Sequence, residues 1–336
     1  MNNDPVATIM ARLAADVAEA SGGRVDVAAM GVTSRAGHLP LAEPGRISPN
    51  GACRLVRCAD GWIAVNLARE EDAELIPAWL GLEDAGDPWA AIEAGALVRT
   101  AAAAVADASV LGIPVARVGE VQTHSFAAQV LRNAPRGAPR RLGRVVDVSA
   151  LWAGPLCGAI LAAAGAEVLK IESHRRPDPS RAATPEFFKR LNGMKMEVEL
   201  DLADERDQKR LFEAVSRSDV LITSARPRAF PGIGLEPAAV FAANRALTWV
   251  SITGHGAAGA AAERVAFGDD AAAAGGLVRW EGEEPRFLGD ALADPITGQA
   301  AAVAALKALE TGGGAVVDIA MARASAAAAH LVKATT

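Results

Sequence analysis

Two carboxylates in the segment FLGDALADPITGQAAAVAAL, Asp290 and Asp294, are the residues whose type and position best suit covalent or acid–base chemistry. Asp294 stands one turn after Asp290, at the head of a long small-residue stretch with helical character. An aspartate placed there has two ordinary uses. It can cap the free amides of the first helical turn, or it can act as a nucleophile or proton carrier towards a bound electrophile. Spacing alone favours the cap and leaves the other use open. A second group of residues is basic. The loop SHRRPDPSR supplies Arg175, Arg176 and Arg181, and later loops add Lys195 and the RPR run with Arg226 and Arg228. In a chain of net charge −6, basic loops meeting at one edge fit a phosphate or pyrophosphate group, with a solvated charge run as the alternative. The histidines do not cluster. His174 lies in the basic loop and His255 in SITGHG, so neither a Ser-His-Asp order nor a metal-ligand spacing emerges.

These residues need a frame, and the hydrophobic pattern supplies one. GRVVDVSA reads as a buried strand, GPLCGAILAAAG as a helix and AEVLKIES as a second strand. Strand, helix, strand at this spacing is a βαβ unit with parallel strands. SDVLITS, LTWVSITG and AVVDIAM add further β runs, with a helical pattern at Pro237–Asn244 between the first two. The expected fold class is α/β, an open Rossmann-like parallel sheet, with ligands beyond the carboxyl ends of its strands. Its first turn carries Ala153-Gly154-Pro155. That is not GxGxxG, so a dinucleotide fingerprint is absent. A small residue, a glycine and a proline opening a helix still allow a ligand close to the backbone.

Ahead of this unit, residues 1–133 read as a smaller α+β domain. Residues 6–20 space apolar side chains as an amphipathic helix does. CRLVRCADGWIAVNL reads as a hairpin around Asp60-Gly61, helical patterns cover Ala73–Leu80 and Trp89–Ala108, and GIPVARV is a short strand. NAPRGAPRRLG, with its prolines, glycines and arginines, marks a linker at 134–143, leaving 144–336 as the sheet domain.

Composition narrows the classes. At 336 residues with 51% hydrophobic residues, 4% aromatics and no tyrosine, the chain reads as helix-rich and globular. Its acidic balance offers no field for nucleic acid or an anionic membrane. No run approaches the roughly 18–20 apolar residues that a membrane span requires. Cys53, Cys58 and Cys157 match neither a zinc pattern nor a CxxC pair, and the expectation is a reduced, cytoplasmic protein.

Several separated motifs then fall into one order. RVVDVSALWAGPLCGAILAAAGAEVLKIES, DPSR, NGMKMEVELDL, SDVLITSARPRAF, GIGL, WVSITGHGAAG and ALADPITGQAAAVAALKAL followed by GGGAVVDIAM together resemble the CoA-binding domain of the class III CoA transferases, the CaiB/BaiF family. The resemblance covers residues 144–323. It implies an acyl-CoA:carboxylate CoA transferase, with acyl-CoA and a carboxylic acid as partners, no permanently bound cofactor and no metal. It also implies a homodimer. Asp294 falls on the family's covalent carrier, which forms an aspartyl anhydride and then an aspartyl-CoA thioester. Asp290 does not match that column. Ala153 and Gly154 fall where the pantetheine enters, and Lys195 and Arg226 fall near the CoA phosphates. Arg181 matches the arginine of the loop after the second strand, with Arg175 beside it. Ser224 and Ala225 stand where the family has Asn-Phe.

The same resemblance raises two rival readings. A non-catalytic acyl-CoA-binding paralogue is one, since EPGRISPNG replaces the family's glycine-rich loop. A 2-methylacyl-CoA racemase is the other; Phe267 occupies the column of its catalytic histidine, leaving Asp269 or Asp270 as substitutes. ISPNGACRLVRCADGWIAVNLA and LGIPVARVGEVQTHSFA resemble the family's small domain, which here precedes the sheet domain. The chain is thus expected to be a circular permutation with one connection between domains, forming a dimer that need not be interlocked.

Overall fold

The alternating stretches CRLVRC and GWIAVN form an antiparallel hairpin, β1 (Cys53–Cys58) with β2 (Gly61–Asn66), in a register that sets Cys58 against Gly61. A third strand, β3 (Val115–Arg117), joins β2. Helices between Glu70 and Leu111 cover one face of this sheet and enclose a core of Ile63, Val65, Trp79, Ile92 and Ile113. The helical stretch expected at Trp89–Ala108 is broken at Val98–Thr100, where Thr100 caps a new helix by accepting the Ala103 N–H. These are features of a computed structural model that describes residues 4–126, 128–133 and 137–333. Residues 134–136, the start of the expected linker, lie outside the described residues.

The larger sheet holds β4 (Gln129–Asn133), β5 (Arg144–Asp147), β6 (Glu167–Ser173), β7 (Met196–Leu200), β8 (Val220–Thr223), β9 (Thr248–Thr253) and β12 (Ala315–Ala320). Their order is β4-β12-β9-β8-β5-β6-β7, and only β4 runs antiparallel. From β5 the chain winds outwards to β6 and β7, then returns to β8 and continues through β9 to β12. That is the doubly wound Rossmann order, with its crevice where the direction reverses, between β5 and β8. The fold is the α/β class expected from the sequence. A hairpin of β10 (Val278–Glu281) and β11 (Glu284–Phe287) stands apart.

Helices cover both faces of the large sheet. One face carries the Ala153 helix (Ala153–Ala163), the Ala293 helix (Ala293–Glu310) and the Met321 helix (Met321–Lys333). On the other, the helices Glu205–Ser216 and Pro237–Ala243 pack around Trp249 and Phe241. The Ala153 and Ala293 helices approach closely at Gly298. A methyl there would meet the Ala153 carbonyl oxygen at 2.7 Å and the Leu156 side chain at 2.8 Å.

The domain boundaries differ from the expectation. The helix Pro5–Ala20, begun by Asp4 accepting the Val6 N–H at 2.9 Å, does not join the small domain. Ile9, Leu13 and Val17 are buried with Leu156, Ile160, Ile296 and Leu306 in the core of the large one, and Val25, Val27 and Val32 follow them. Periodicity identifies an apolar stripe but not the surface it covers. The chain therefore passes from large to small domain and back. Residues 33–52 make a first crossing, and the chain returns between β3 of the small sheet and β4 of the large one, so the expectation of a single connection does not hold. The family-like strand–helix–strand still lies after the small domain. Contact between the domains is extensive, since the Gly268 helix (Gly268–Ala274) packs Ala273 against Cys53, Leu55 and Trp62. It also accepts the Gly119 and Val121 N–H groups at 2.9 and 3.0 Å.

Candidate active site

The Ala293 helix precedes β12, so its N-terminus lies at the carboxyl edge of the sheet, as does that of the Ala153 helix after β5. Asp294 is the second residue of its helix, and its side chain makes no cap bond there. Its Oδ1 instead accepts the Ala153 N–H at 3.3 Å, across to the neighbouring helix. One carboxylate thus lies where two helix N-termini converge, in the positive end of both dipoles. Next to it, Gly268 leaves room that a side chain would fill. A methyl there would overlap Asp294 Oδ2 and meet the Ala291 carbonyl oxygen at 2.6 Å.

The turns leading into both helices are strained. Among the described residues, Leu151 and Ala291 are the non-glycine residues of positive φ, at 69° and 45°. Such conformations cost on the order of 1–3 kcal/mol each and persist where surrounding bonds fix them. Here the Leu151 N–H donates to Asp178 Oδ2 at 2.9 Å, and the Ala291 N–H to Asp269 Oδ1 at 2.7 Å. Strain on both sides of one carboxylate is the pattern of a site built for function.

Around Asp294 lies a network that the sequence motifs did not indicate. Arg35 grips Asp290 with two bonds, Nε to Oδ2 at 2.8 Å and Nη2 to Oδ1 at 2.7 Å. Asn50 Nδ2 donates to both Asp290 Oδ1 and Asp269 Oδ2 at 2.7 Å. Arg35 and Asn50 come from the first crossing, and of the two only Asn50 lies in EPGRISPNG, the segment that stands in place of the expected glycine-rich loop. Asp270, deeper, accepts from Asn66 Nδ2 and the Phe267 N–H at 2.9 Å. Asp269 is buried and bonded through both oxygens, Asp270 is buried with Oδ1 bonded and Oδ2 left without a hydrogen-bond partner, and Phe267 offers no acid–base group.

Burial pushes all three carboxyls up, Asp294 to about 7, Asp269 to about 6 and Asp270 to about 7. At Asp294 the Arg35 charge and the Ala153 N–H oppose that rise. Folded-state values above the ordinary one mean that the native state binds protons more tightly than the unfolded chain. The stability these groups contribute is complete below pH 4 and is lost as pH rises towards 7. Asp270→Asn, which removes one of them, is expected to flatten that decline. Urea unfolding at pH 5 and pH 8 measures it; an unchanged difference between the two pH values would contradict it.

A cleft of about 390 Å³ opens between the domains, lined by Arg69 and Gly112 on one side and by Arg226, Arg228 and Glu263 on the other. Burial, and then the neighbouring Arg228, push the Arg226 guanidinium below its ordinary value. Arg69, paired with Asp72, lies over the Phe267 ring at 5.7 Å, and Phe267 adjoins Gly268 beside Asp294. A basic cleft and the carboxylate are thus linked through neighbouring residues.

The other expected residues divide. Ser224 accepts the Ala150 N–H at 3.1 Å and so ties the β5 and β8 loops together at the crevice. Gly154 is buried against Ser149. Lys195 is no phosphate ligand. Its ammonium, with a fully buried side chain, donates to Asp147 Oδ2, Pro155 O and Asn192 Oδ1, each at 2.8 Å, which uses all three protons. Arg175 pairs with Asp201, while Arg181 pairs with Glu172 and Glu197 and lies over Phe188 at 4.2 Å, so neither joins the Arg226 cleft. Among the described residues no group of His, Cys, Asp or Glu could hold a metal ion, and no helix is long and apolar enough to cross a membrane.

With this geometry in place, comparison with known proteins identifies the family. The family model described as CoA-transferase family III matches residues 143–335, more than half of the chain. The chain belongs to CoA-transferase family III. Among curated members it is similar to a succinyl-CoA–D-citramalate CoA-transferase of Chloroflexus aurantiacus, 30% identical over 52% of this chain and 47% of that protein. A succinate–glutarate CoA-transferase of Agrobacterium fabrum is 27% identical over 53% of this chain and 50% of that one. The chain thus spans about half the length of these family III relatives. A solved CAIB/BAIF family protein from Brucella suis superimposes with a TM-score of 0.51 at 28% identity, over 58% of this chain and 55% of that one.

Proposed function

We propose that this family III member transfers CoA between an acyl-CoA and a carboxylic acid, with Asp294 as the covalent carrier. The observation that carries this reading is the placement of the Asp294 carboxylate. It spans from its own helix to the Ala153 amide, beside the space left by Gly268, instead of capping its own first turn. On this reading the Arg226 and Arg228 cleft would hold the CoA phosphates, with the pantetheine running past Phe267 towards Asp294.

The carboxylate attacks the thioester carbonyl, the C–S bond breaks, and a mixed anhydride and CoA thiolate result. The thiolate then attacks the aspartyl carbonyl, forming an aspartyl-CoA thioester and releasing the first acid. A second carboxylate reverses both steps. No proton or electron is consumed, so the site's tasks are to supply an ionised carboxylate and to stabilise each tetrahedral oxyanion. The N–H groups of Ala153 and Gly154 at the helix start are suited to the latter. Water must be excluded for the thioester's energy to be conserved; Asp294 is half-buried, so the bound thioester would complete its cover.

Exchange of isotope-labelled succinate or glutarate into succinyl-CoA tests the reading, beginning with the thioester and acids named in the relatives. Exchange is expected, and Arg226→Ala should raise KM for the thioester about tenfold, the loss of roughly one charged hydrogen bond, with kcat little altered. Tight thioester binding by calorimetry without exchange, over a panel of acyl-CoAs and acids, would establish a non-catalytic binder instead.

A further inference from the structure

We propose that Arg35 is the positioning residue for Asp294: clamped on Asp290 and laid against Trp152, its guanidinium holds the carrier carboxylate in its anionic, nucleophilic form. The proposal rests on the reading of Asp294 as carrier and adds a residue that no motif in the chain marks.

The geometry points to it from three sides. Arg35 makes the bidentate pair with Asp290 described above, and its guanidinium centre lies 5.1 Å from the Trp152 ring. Trp152 is itself fixed. Its indole N–H donates to Val32 O at 2.9 Å, and its ring meets Phe187 edge-on. The next residue along the chain is Ala153, whose N–H reaches Asp294. A planar guanidinium held by a fork and an aromatic face cannot reorient freely, so its charge acts in one direction.

The charged groups that act on Asp294 come from three of the elements around it. The Gly268 helix contributes Asp269, the turn ahead of the Ala293 helix contributes Asp290, and the Ala153 helix offers an amide and no charge. Arg35, from the first crossing, is the cation that acts on Asp294. Burial and two further carboxylates favour a protonated, non-nucleophilic carrier, and Arg35 opposes them. Asp290 keeps Arg35 in place, and Asn50, shared between Asp290 and Asp269, steadies the carboxylates that would otherwise repel.

The test follows covalent adduct formation at Asp294 against pH, trapped with hydroxylamine and located by peptide mass, in the full-length protein with an accepted acyl-CoA. In the wild type the rate should rise through a midpoint near 7. In Arg35→Gln the midpoint should move up by roughly one unit or more, with the rate at high pH largely recovered. Arg35→Lys, which keeps the charge, should hold the midpoint close to the wild type. Should Arg35→Gln fold poorly, Arg35→Gln with Asp290→Asn leaves neither charge unpaired, and its midpoint is also expected to rise. An unshifted midpoint, a loss of equal size at every pH, or a rise only in KM for the acceptor acid would overturn the role. If the wild type itself forms no adduct at Asp294, the carrier reading fails and the role of Arg35 fails with it; an adduct with an indifferent Arg35 removes the latter alone.

Discussion

Asp294→Asn is expected to lower the proposed CoA transfer by about a thousandfold or more, the scale seen when a covalent nucleophile is removed, and to leave the fold intact. Asparagine has the same shape and retains an oxygen that can accept the Ala153 N–H, so packing between the two helices is kept. What it lacks is the anion that, in the proposed mechanism, attacks the thioester. The variant also removes a carboxyl that burial pushes to about 7, so stability above that pH should be unchanged or slightly higher. Melting followed by circular dichroism at pH 8, beside the exchange assay, separates the two effects. Inactivity with a lowered melting temperature would assign Asp294 a structural role.

The second large effect concerns stability. Lys195→Met should cost about 3–5 kcal/mol, the range for breaking a buried ion pair by removing one partner. Asp147 and Lys195 are both fully buried, and the ammonium also satisfies Pro155 O and Asn192 Oδ1. Burial alone would push Asp147 up, but Lys195 and then Lys170 hold it down at about 2. Without Lys195 that carboxylate either stays charged and unpaired or takes up a proton, and both cost stability. Urea unfolding measures the loss. The protein that remains folded should bind acyl-CoA with KM unchanged within about twofold, since this ammonium has no proton left for a phosphate. A variant of normal stability with sharply weakened acyl-CoA binding would restore Lys195 to the phosphate site.

Lys195 also illustrates where the sequence falls silent. A lysine in a loop near other basic loops resembles a phosphate ligand, and its partner Asp147 lies in a strand 48 residues earlier, with nothing local to announce the pairing. Arg35 and Asp290 are 255 residues apart, joined only because residues 33–52 cross between the domains at this point. The helix Pro5–Ala20 was legible as a helix, yet its stripe of Ile9, Leu13 and Val17 carries no label for the core it enters. By contrast, β5, the Ala153 helix and β6 were legible because their apolar runs and turn residues are local and agree with one another. Asp294 stood out through its motif as the candidate carrier. That its carboxylate crosses to Ala153 rather than capping its own turn was not legible, because the two readings differ by a side-chain direction that spacing does not encode.

The most direct test of the central claim is the mass of the intact protein after mixing with an acyl-CoA that it turns over. The account predicts a covalently bound CoA, released by hydroxylamine and traced to the peptide that contains Asp294. Turnover with no such adduct, or an adduct on any other residue, would contradict it.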